Sequence, residues 1–492
     1  MSDFQRPLNP DPDKVFFALE HSGWTYADVN RYVALTCETI LSRAALKPGD
    51  RVAILMQRPV PFALTMLALM RMRAVIVPLN TRLTASELAW QVGNVDCRLV
   101  ICESETRTLT SAIDAQVFEL PTMTVHDRRT KFDDWGTMRF DDDFAIIHTS
   151  GTTGKPKAAT LTAGNIWHSA LGTALMLETQ RNERWLCVLP LYHVGGLSII
   201  LRSLIHHTAV EFGPTAPFDI QETNRVLSEN PITIVSLVPT MLQRLLDAKK
   251  RPWNPRLRLI LLGGEAPSAE LLARCQAENL PIATCYGLTE TASQVATALP
   301  DLVYQKPGTA GKAKMTAQLR IIDEQGSDAA PDVPGEVLVK GGTVMRGYYG
   351  DPAATDAALR DGWLHTGDIG YLDEDGDLFI LQRREDLIVS GGENIYPAEV
   401  EDVLRKHPAV AEAVVFGTPD ANWGQAVAAV VELRVGRSAS TDDIIAFSRQ
   451  HLAGYKIPRR IAFSPTLPRT ASGKIQRREA KRIFDDAVSS QD

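Results

Sequence analysis

Apolar and polar positions alternate in blocks along the first half of the chain. RVAILM (51–56) is an unbroken apolar run after its first residue and reads as a buried strand. PFALTMLALMRM follows as a helix and AVIVPL (74–79) as a strand. TASELAWQV is a helix opened by Thr84 and Glu87 at capping-box spacing, and CRLVICE is the next strand. This β-α-β-α-β order predicts a parallel sheet covered by helices. The pattern returns with the strand TIVSLV (233–238) and the helix PTMLQRLLDA, which has Pro239 in its first turn. Strands LRLILLGG and PIATCYG then flank the helix SAELLARCQAE.

From about residue 305 the texture changes to short strands with tight turns: AQLRIID, GEVLVKG and YLDEDGDLFIL. That predicts a small antiparallel β-barrel over about 305–380. DEDGD lacks the full twelve-residue calcium-loop spacing and reads as a hairpin turn. After LQRRED the texture changes again. The helix PAEVEDVLRKHP, strands VAEAVVFG and QAVAAVVEL, helix TDDIIAFSRQHL and strand RRIAFS make a small α+β unit. The expected fold class is α/β: a large N-terminal domain (1–384) of parallel α/β sheets plus the barrel, then a small C-terminal domain (386–492).

Length and composition narrow the picture. A chain of 492 residues is too long for one ordinary domain. A net charge of −7 gives a nucleic-acid role no support. MSDFQRPLNPDPDK lacks the basic-then-apolar pattern of a signal peptide, and FALTMLALM is too short to span a bilayer. Six cysteines occur without a C-x-x-C pair, and Cys37 falls on the apolar stripe Val29, Val33, Cys37, Ile40. A reducing cytoplasm, free thiols and no structural zinc are therefore expected.

The chemistry starts at 148–159, HTSGTTGKPKAA. Its glycines let backbone N–H groups converge on one concavity, its hydroxyls add donors and its lysines add charge, which suits a polyphosphate. It is not a Walker loop, since Gly151 and Gly154 are too close and Pro156 follows Lys155. Composition alone leaves a plain surface loop equally open.

Four further motifs decide between those readings: YGLTE (286–290), LHTGDIG (364–370), LQRREDLIVSGGENIYPAEVE (381–401) and PRTASGKIQRRE (468–479). With TSGTTGKPK, in this order and over nearly the whole chain, they resemble the acyl-adenylate-forming superfamily of acyl-CoA synthetases, adenylation domains and luciferase. The resemblance implies that ATP and Mg2+ activate a carboxylate as an acyl-AMP, and that coenzyme A then displaces AMP. It implies that Thr149, Ser150, Gly151, Thr152, Thr153, Gly154 and Lys157 hold the β- and γ-phosphates. Ala158 stands where the family commonly has glycine. Gly264, Glu265 and Ala266 would line adenine, with Tyr286 stacked on it beside Gly287. Thr289 would donate to the α-phosphate, Glu290 hold magnesium, Asp368 accept the ribose hydroxyls and Arg383 reach ribose or phosphate. Lys474 would neutralise charge in the adenylation step. His193 matches an aromatic-or-histidine gate at the acyl pocket. The C-terminal domain is expected to be mobile about a hinge at Glu385, bringing Ser390, Gly391 and Gly392 to a coenzyme A channel.

LPLYHVGGLSIILRSLIHH and LIVSGGENIYPAEVEDVLRKHPAVAEAVVFG look closest to the o-succinylbenzoate–CoA ligase branch of menaquinone synthesis. Arg202 supplies a physical cue, because a cation in LSIILRSLI is costly without a partner. The ring carboxylate of o-succinylbenzoate would be such a partner; a structural salt bridge or a snorkelling side chain is the bland alternative. Thr309 is expected near the acyl group. A medium-chain fatty or aryl acid–CoA ligase would want no buried cation. An enzyme loading a carrier protein would want an aspartate that LPLYHVGG lacks. A mere nucleotide binder would not require Lys474, Glu290 and the phosphate loop together. Oligomers occur in this family, but no partner face is marked in the sequence.

Overall fold

A computed structural model describes the chain except residues 1–5, 8–9, 20–21, 122–136, 150–155, 215–217, 383–386, 469–474, 476 and 490–492. Three sheets dominate the described residues. In the first, strands Arg51–Leu55, Val75–Pro78, Leu99–Cys102, Gln116–Glu119 and Asp143–Thr149 run parallel, and Lys157–Thr162 folds back antiparallel on Asp143–Thr149. The helix Pro59–Arg71 between two of these strands is buried from Phe62 to Met70, as expected of an apolar helix between layers. Thr84 and Glu87 form both halves of the expected capping box on helix Ala85–Asn94.

The second sheet has a parallel centre: Ile282–Leu288, Leu259–Leu262, Ile234–Leu237, Arg184–Cys187 and Ala209–Phe212. One apolar core, including Phe17 and Ile234 of this sheet and Val52 and Ile54 of the first, fills the space between the two. At Ser293–Ala298 the direction reverses, and the antiparallel strands of 309–382 continue the same sheet. The expected barrel is therefore an open extension. Strand Ala317–Ile322 ends the hydrogen-bonded path, so no ladder closes a ring among the described residues. DEDGD does form a hairpin turn between Trp363–Leu372 and Leu378–Gln382. Its three aspartates, Asp373, Asp375 and Asp377, converge on the Lys306 ammonium at 2.6, 2.7 and 2.7 Å.

The third sheet holds only strands from Ile388 onward: Ile388–Ser390, Glu393–Ile395, Val410–Asp420, Gly424–Leu433 and Arg460–Ser464. It has its own core, with Val400, Leu404, Val415 and Ile444. The chain passes from the second sheet to the third between Gln382 and Ile388, and Arg383 and Glu385 in that passage lie outside the described residues.

Strands Ile282–Leu288 and Ser293–Ala298 carry the YGLTE turn, and their approach depends on Gly287. A Cβ there would stand 2.1 Å from the Ser293 carbonyl oxygen. Gly287→Ala is expected to cost roughly 3 kcal/mol by forcing backbone apart. A melting curve should show a clear loss in Tm, with nucleotide binding lost in parallel.

Candidate active site

The two larger sheets and the third enclose a cavity of about 630 Å3. Thr149, His193, Arg202, Gly264, Gly287, Thr289, Glu290, Asp368, Gly391 and Gly392 all border it. The central strands of the second sheet end at this cavity, where open α/β sheets place their ligands.

Helix Val194–His206 supplies the acyl-pocket candidates. His193 is its N-cap and Arg202 lies on its buried face. Arg202 is 4% exposed, and among the described residues its Nη1 and Nη2 reach only Gln294 Oε1 at 3.3 Å and Ser169 Oγ at 3.5 Å. Nε has no partner, and no carboxylate pairs with the guanidinium among the described residues. Burial pulls its pKa down to about 10. The structural salt bridge left open by the sequence is absent there.

The nucleotide candidates lie at the strand ends. Asp368 is buried on strand Trp363–Leu372, and its Oδ2 accepts the Tyr286 hydroxyl at 2.7 Å. Tyr286 itself is 2% exposed within the core and does not border the cavity. In this arrangement it props the Asp368 carboxylate and offers no free ring face for adenine. Glu290 is 5% exposed, and its Oε1 accepts from the Tyr348 hydroxyl at 2.8 Å. Its other oxygen has no partner among the described residues, so a hard cation fits this carboxylate. Lys157 sits with its ammonium 5.0 Å from the centre of the same Tyr348 ring. Glu265 is half-buried beside Gly424 of the third sheet, and Ala266 is exposed outside the cavity. Ser150, Gly151, Thr152, Thr153, Gly154 and Lys474 lie outside the described residues.

Thr309 corrects an expectation. It is 2% exposed and away from the cavity wall. Its hydroxyl is used up between the Leu378 carbonyl (3.1 Å) and the Gly311 N–H (2.9 Å), which makes it a strand-pairing residue.

The turn Gly391–Gly392 enters the cavity from the third sheet with φ of +59 and +84. A Cβ on Gly391 would come 2.6 Å from the Trp423 ring, so only glycine fits there. Ser390 is buried just before the turn and does not face the cavity. The next residue, Glu393, makes the main contact with the N-terminal domain. It is 3% exposed. Oε1 accepts from Arg82 Nη1 at 3.1 Å and the Tyr192 hydroxyl at 3.2 Å, and Oε2 meets His193 Nε2 at 3.1 Å and Asn80 Nδ2 at 3.3 Å. Lys456 adds a second link between the domains. Its buried ammonium bridges Glu87 at 2.8 Å and Glu399 at 2.6 Å. Glu393 and Lys456 carried no signal in the sequence beyond an acid in a glycine turn and an unremarkable lysine, since their partners in the N-terminal domain are hundreds of residues away.

A model of the AMP-binding enzyme family matches residues 4–349, and one of the AMP-binding enzyme C-terminal domain matches 399–474. The chain belongs to the AMP-binding enzyme family. A 2-succinylbenzoate–CoA ligase of Geobacillus sp. (strain WCH70) is 42% identical over 449 residues, covering 90% of this chain and 89% of the relative. The o-succinylbenzoate CoA synthetase of Bacillus subtilis, as a double mutant bound with its product analogue OSB-NCoA, superposes with a TM-score of 0.89 at 33% identity, covering 97% of this chain and 98% of that one. The same synthetase in complex with ATP and magnesium ion gives 0.70 at 34% identity, covering 96% and 97%. Identity and coverage barely differ between the two, so the gap in TM-score reflects the arrangement of parts. This member of the family shares the arrangement of the product-analogue complex.

Burial alone would raise the Glu393 carboxyl, but His193, Arg82 and Tyr192 outweigh it and hold its pKa at about 2. A carboxylate depressed in this way stabilises the docked domains fully above its ordinary 4.5 and loses that effect only as pH falls through about 2. Glu393→Gln removes the charge at every pH. Conversion of supplied acyl-AMP to thioester should slow roughly tenfold or more, with acyl-AMP formation changed far less. Quenched-flow assays of the two half-reactions check this.

Proposed function

We propose that this chain is an AMP-forming ligase that joins o-succinylbenzoate to coenzyme A through an acyl-AMP, in menaquinone synthesis in the cytoplasm. The carrying observation is Arg202: a buried guanidinium on the cavity wall with no carboxylate partner among the described residues. o-Succinylbenzoate brings two carboxylates. The succinyl one is activated, and the ring one can meet Arg202 through two parallel hydrogen bonds. A fatty or simple aryl acid would leave that cation buried and unpaired, at a cost.

In the first step a succinyl carboxylate oxygen bonds to the α-phosphorus of ATP and the bond to pyrophosphate breaks. Asp368, fixed by Tyr286, is placed to accept from ribose. Thr289 offers a hydroxyl to the α-phosphate, and Thr149 stands where the phosphate loop begins. Mg2+, held by Glu290, would supply charge neutralisation on the phosphates. Lys474 of the SGK motif serves the same charge by family resemblance. In the second step the thiol sulfur bonds to the acyl carbon and AMP leaves. The Gly391–Gly392 turn and Trp423 form a wall along which pantetheine can pass close to backbone, and the Glu393 cluster fixes that wall. The domain arrangement therefore corresponds to thioester formation.

Two tests separate substrate from chemistry. Thioester formation from o-succinylbenzoate, benzoate, octanoate and amino acids should favour o-succinylbenzoate strongly. Arg202→Ala should remove most of that preference, by about a hundredfold in kcat/KM. Preference for octanoate or benzoate, untouched by the variant, would contradict the substrate. Lys474→Ala should lose acyl-AMP formation yet still convert supplied acyl-AMP to thioester, and loss of both half-reactions in a folded variant would contradict the role of Lys474.

A further inference from the structure

Behind Arg202 lies a second cation. Lys314 follows strand Thr309–Ala313 and is 1% exposed. Among the described residues its ammonium reaches only the Ser169 carbonyl and the Thr173 hydroxyl, both at 3.3 Å. An ammonium carries three donors, so this is a thin shell for a buried charge. Ser169 joins the two cations, since its hydroxyl also receives Arg202 Nη2. Neither cation has a carboxylate partner among the described residues. The stem of Lys314 reaches this place by crossing helix Ala163–Met176 at Gly172, where a Cβ would meet the Thr316 hydroxyl at 2.4 Å and the Lys314 Cβ and Cδ at 3.2 Å. A glycine inside a helix is unfavourable, and here it makes room for Thr316 and, beside it, the stem of the lysine.

Burial first, and the Arg202 charge second, push the Lys314 pKa well below its usual value. Two like charges in a low-dielectric layer destabilise each other until an anion arrives. The cavity wall beside Arg202, formed by Cys285, Ser293 and Gln294, supplies no carboxylate.

We propose that Lys314 is a specificity-determining positioning residue: a concealed second cation that, through Ser169 and Arg202, makes the acyl pocket select an acid with a second carboxylate on its ring. It rests on the substrate reading given above and deepens it. Lys314 does not touch the substrate. An anion beside Arg202 favours the charged form of Lys314 again, and that charge then strengthens the field at Arg202 and holds the guanidinium toward the cavity.

The test compares o-succinylbenzoate with 4-oxo-4-phenylbutanoate, the same acid without the ring carboxylate, in wild type and Lys314→Met. Wild type should prefer the dicarboxylate by at least about a hundredfold in kcat/KM. Lys314→Met should narrow that ratio about tenfold, mainly through a higher KM for o-succinylbenzoate, with KM for ATP and coenzyme A unmoved. Lys314→Arg, which keeps the charge, should restore much of the ratio. If the methionine variant does not fold, Lys314→Gln carries the same comparison and retains hydrogen bonding to Ser169. An unchanged ratio in a folded neutral variant, or equal losses on both acids, would overturn the role of Lys314 while leaving the substrate reading intact. No preference in wild type would overturn both.

Discussion

Glu393 is the constraint on which the working arrangement depends. A carboxylate removed from water is costly, and this one is tolerable only because four side chains of the N-terminal domain converge on it. None of the four belongs to the C-terminal domain. The charge can therefore be buried in this way only when the two domains are docked as they are here. The Gly391–Gly392 turn precedes it directly, so docking Glu393 also delivers the turn to the cavity. Lys456 between Glu87 and Glu399 fixes the second point that sets the angle of the domain.

Arg202 on the cavity wall and Lys314 behind it have the opposite electrostatics. Glu393 has a surplus of donors, whereas Arg202 and Lys314 have no anion among the described residues. A paired charge fixes structure; an unpaired buried charge stores a preference for a ligand. The cavity thus has one wall completed by the protein itself and one wall completed by substrate. Tyr286 on Asp368 and Tyr348 on Glu290 follow a third pattern: each phenol donates to one oxygen of a buried carboxylate and fixes its position.

Much of this was legible in the sequence where local rules decide. The capping box at Thr84 and Glu87, the proline that opens helix Pro239–Ala248 and the DEDGD hairpin are all set by neighbours a few residues away. Apolar runs marked the parallel strands. Arg202 stood out because its apolar surroundings are visible along one helix. Properties that depend on distant partners were not legible. Thr309 is a polar residue near a motif, yet its hydroxyl is spent on pairing two strands. Tyr286 was expected to stack on adenine and instead props a carboxylate 82 residues away. The antiparallel strands looked like a separate barrel because nothing local reveals that Ser293–Ala298 splices them to the parallel sheet. Glu393, Lys456 and Lys314 all look like surface charges until their surroundings are known.

The most direct test of the central claim is a distance between the domains in solution. Spin labels at the exposed positions Ser86 and Asp442 would report it by pulsed electron resonance. With coenzyme A and a non-hydrolysable acyl-AMP analogue, the account predicts one narrow distance for the wild type and a broad or longer distribution for Glu393→Gln. An identical narrow distribution in both proteins would contradict the claim that this buried carboxylate holds the domains in place.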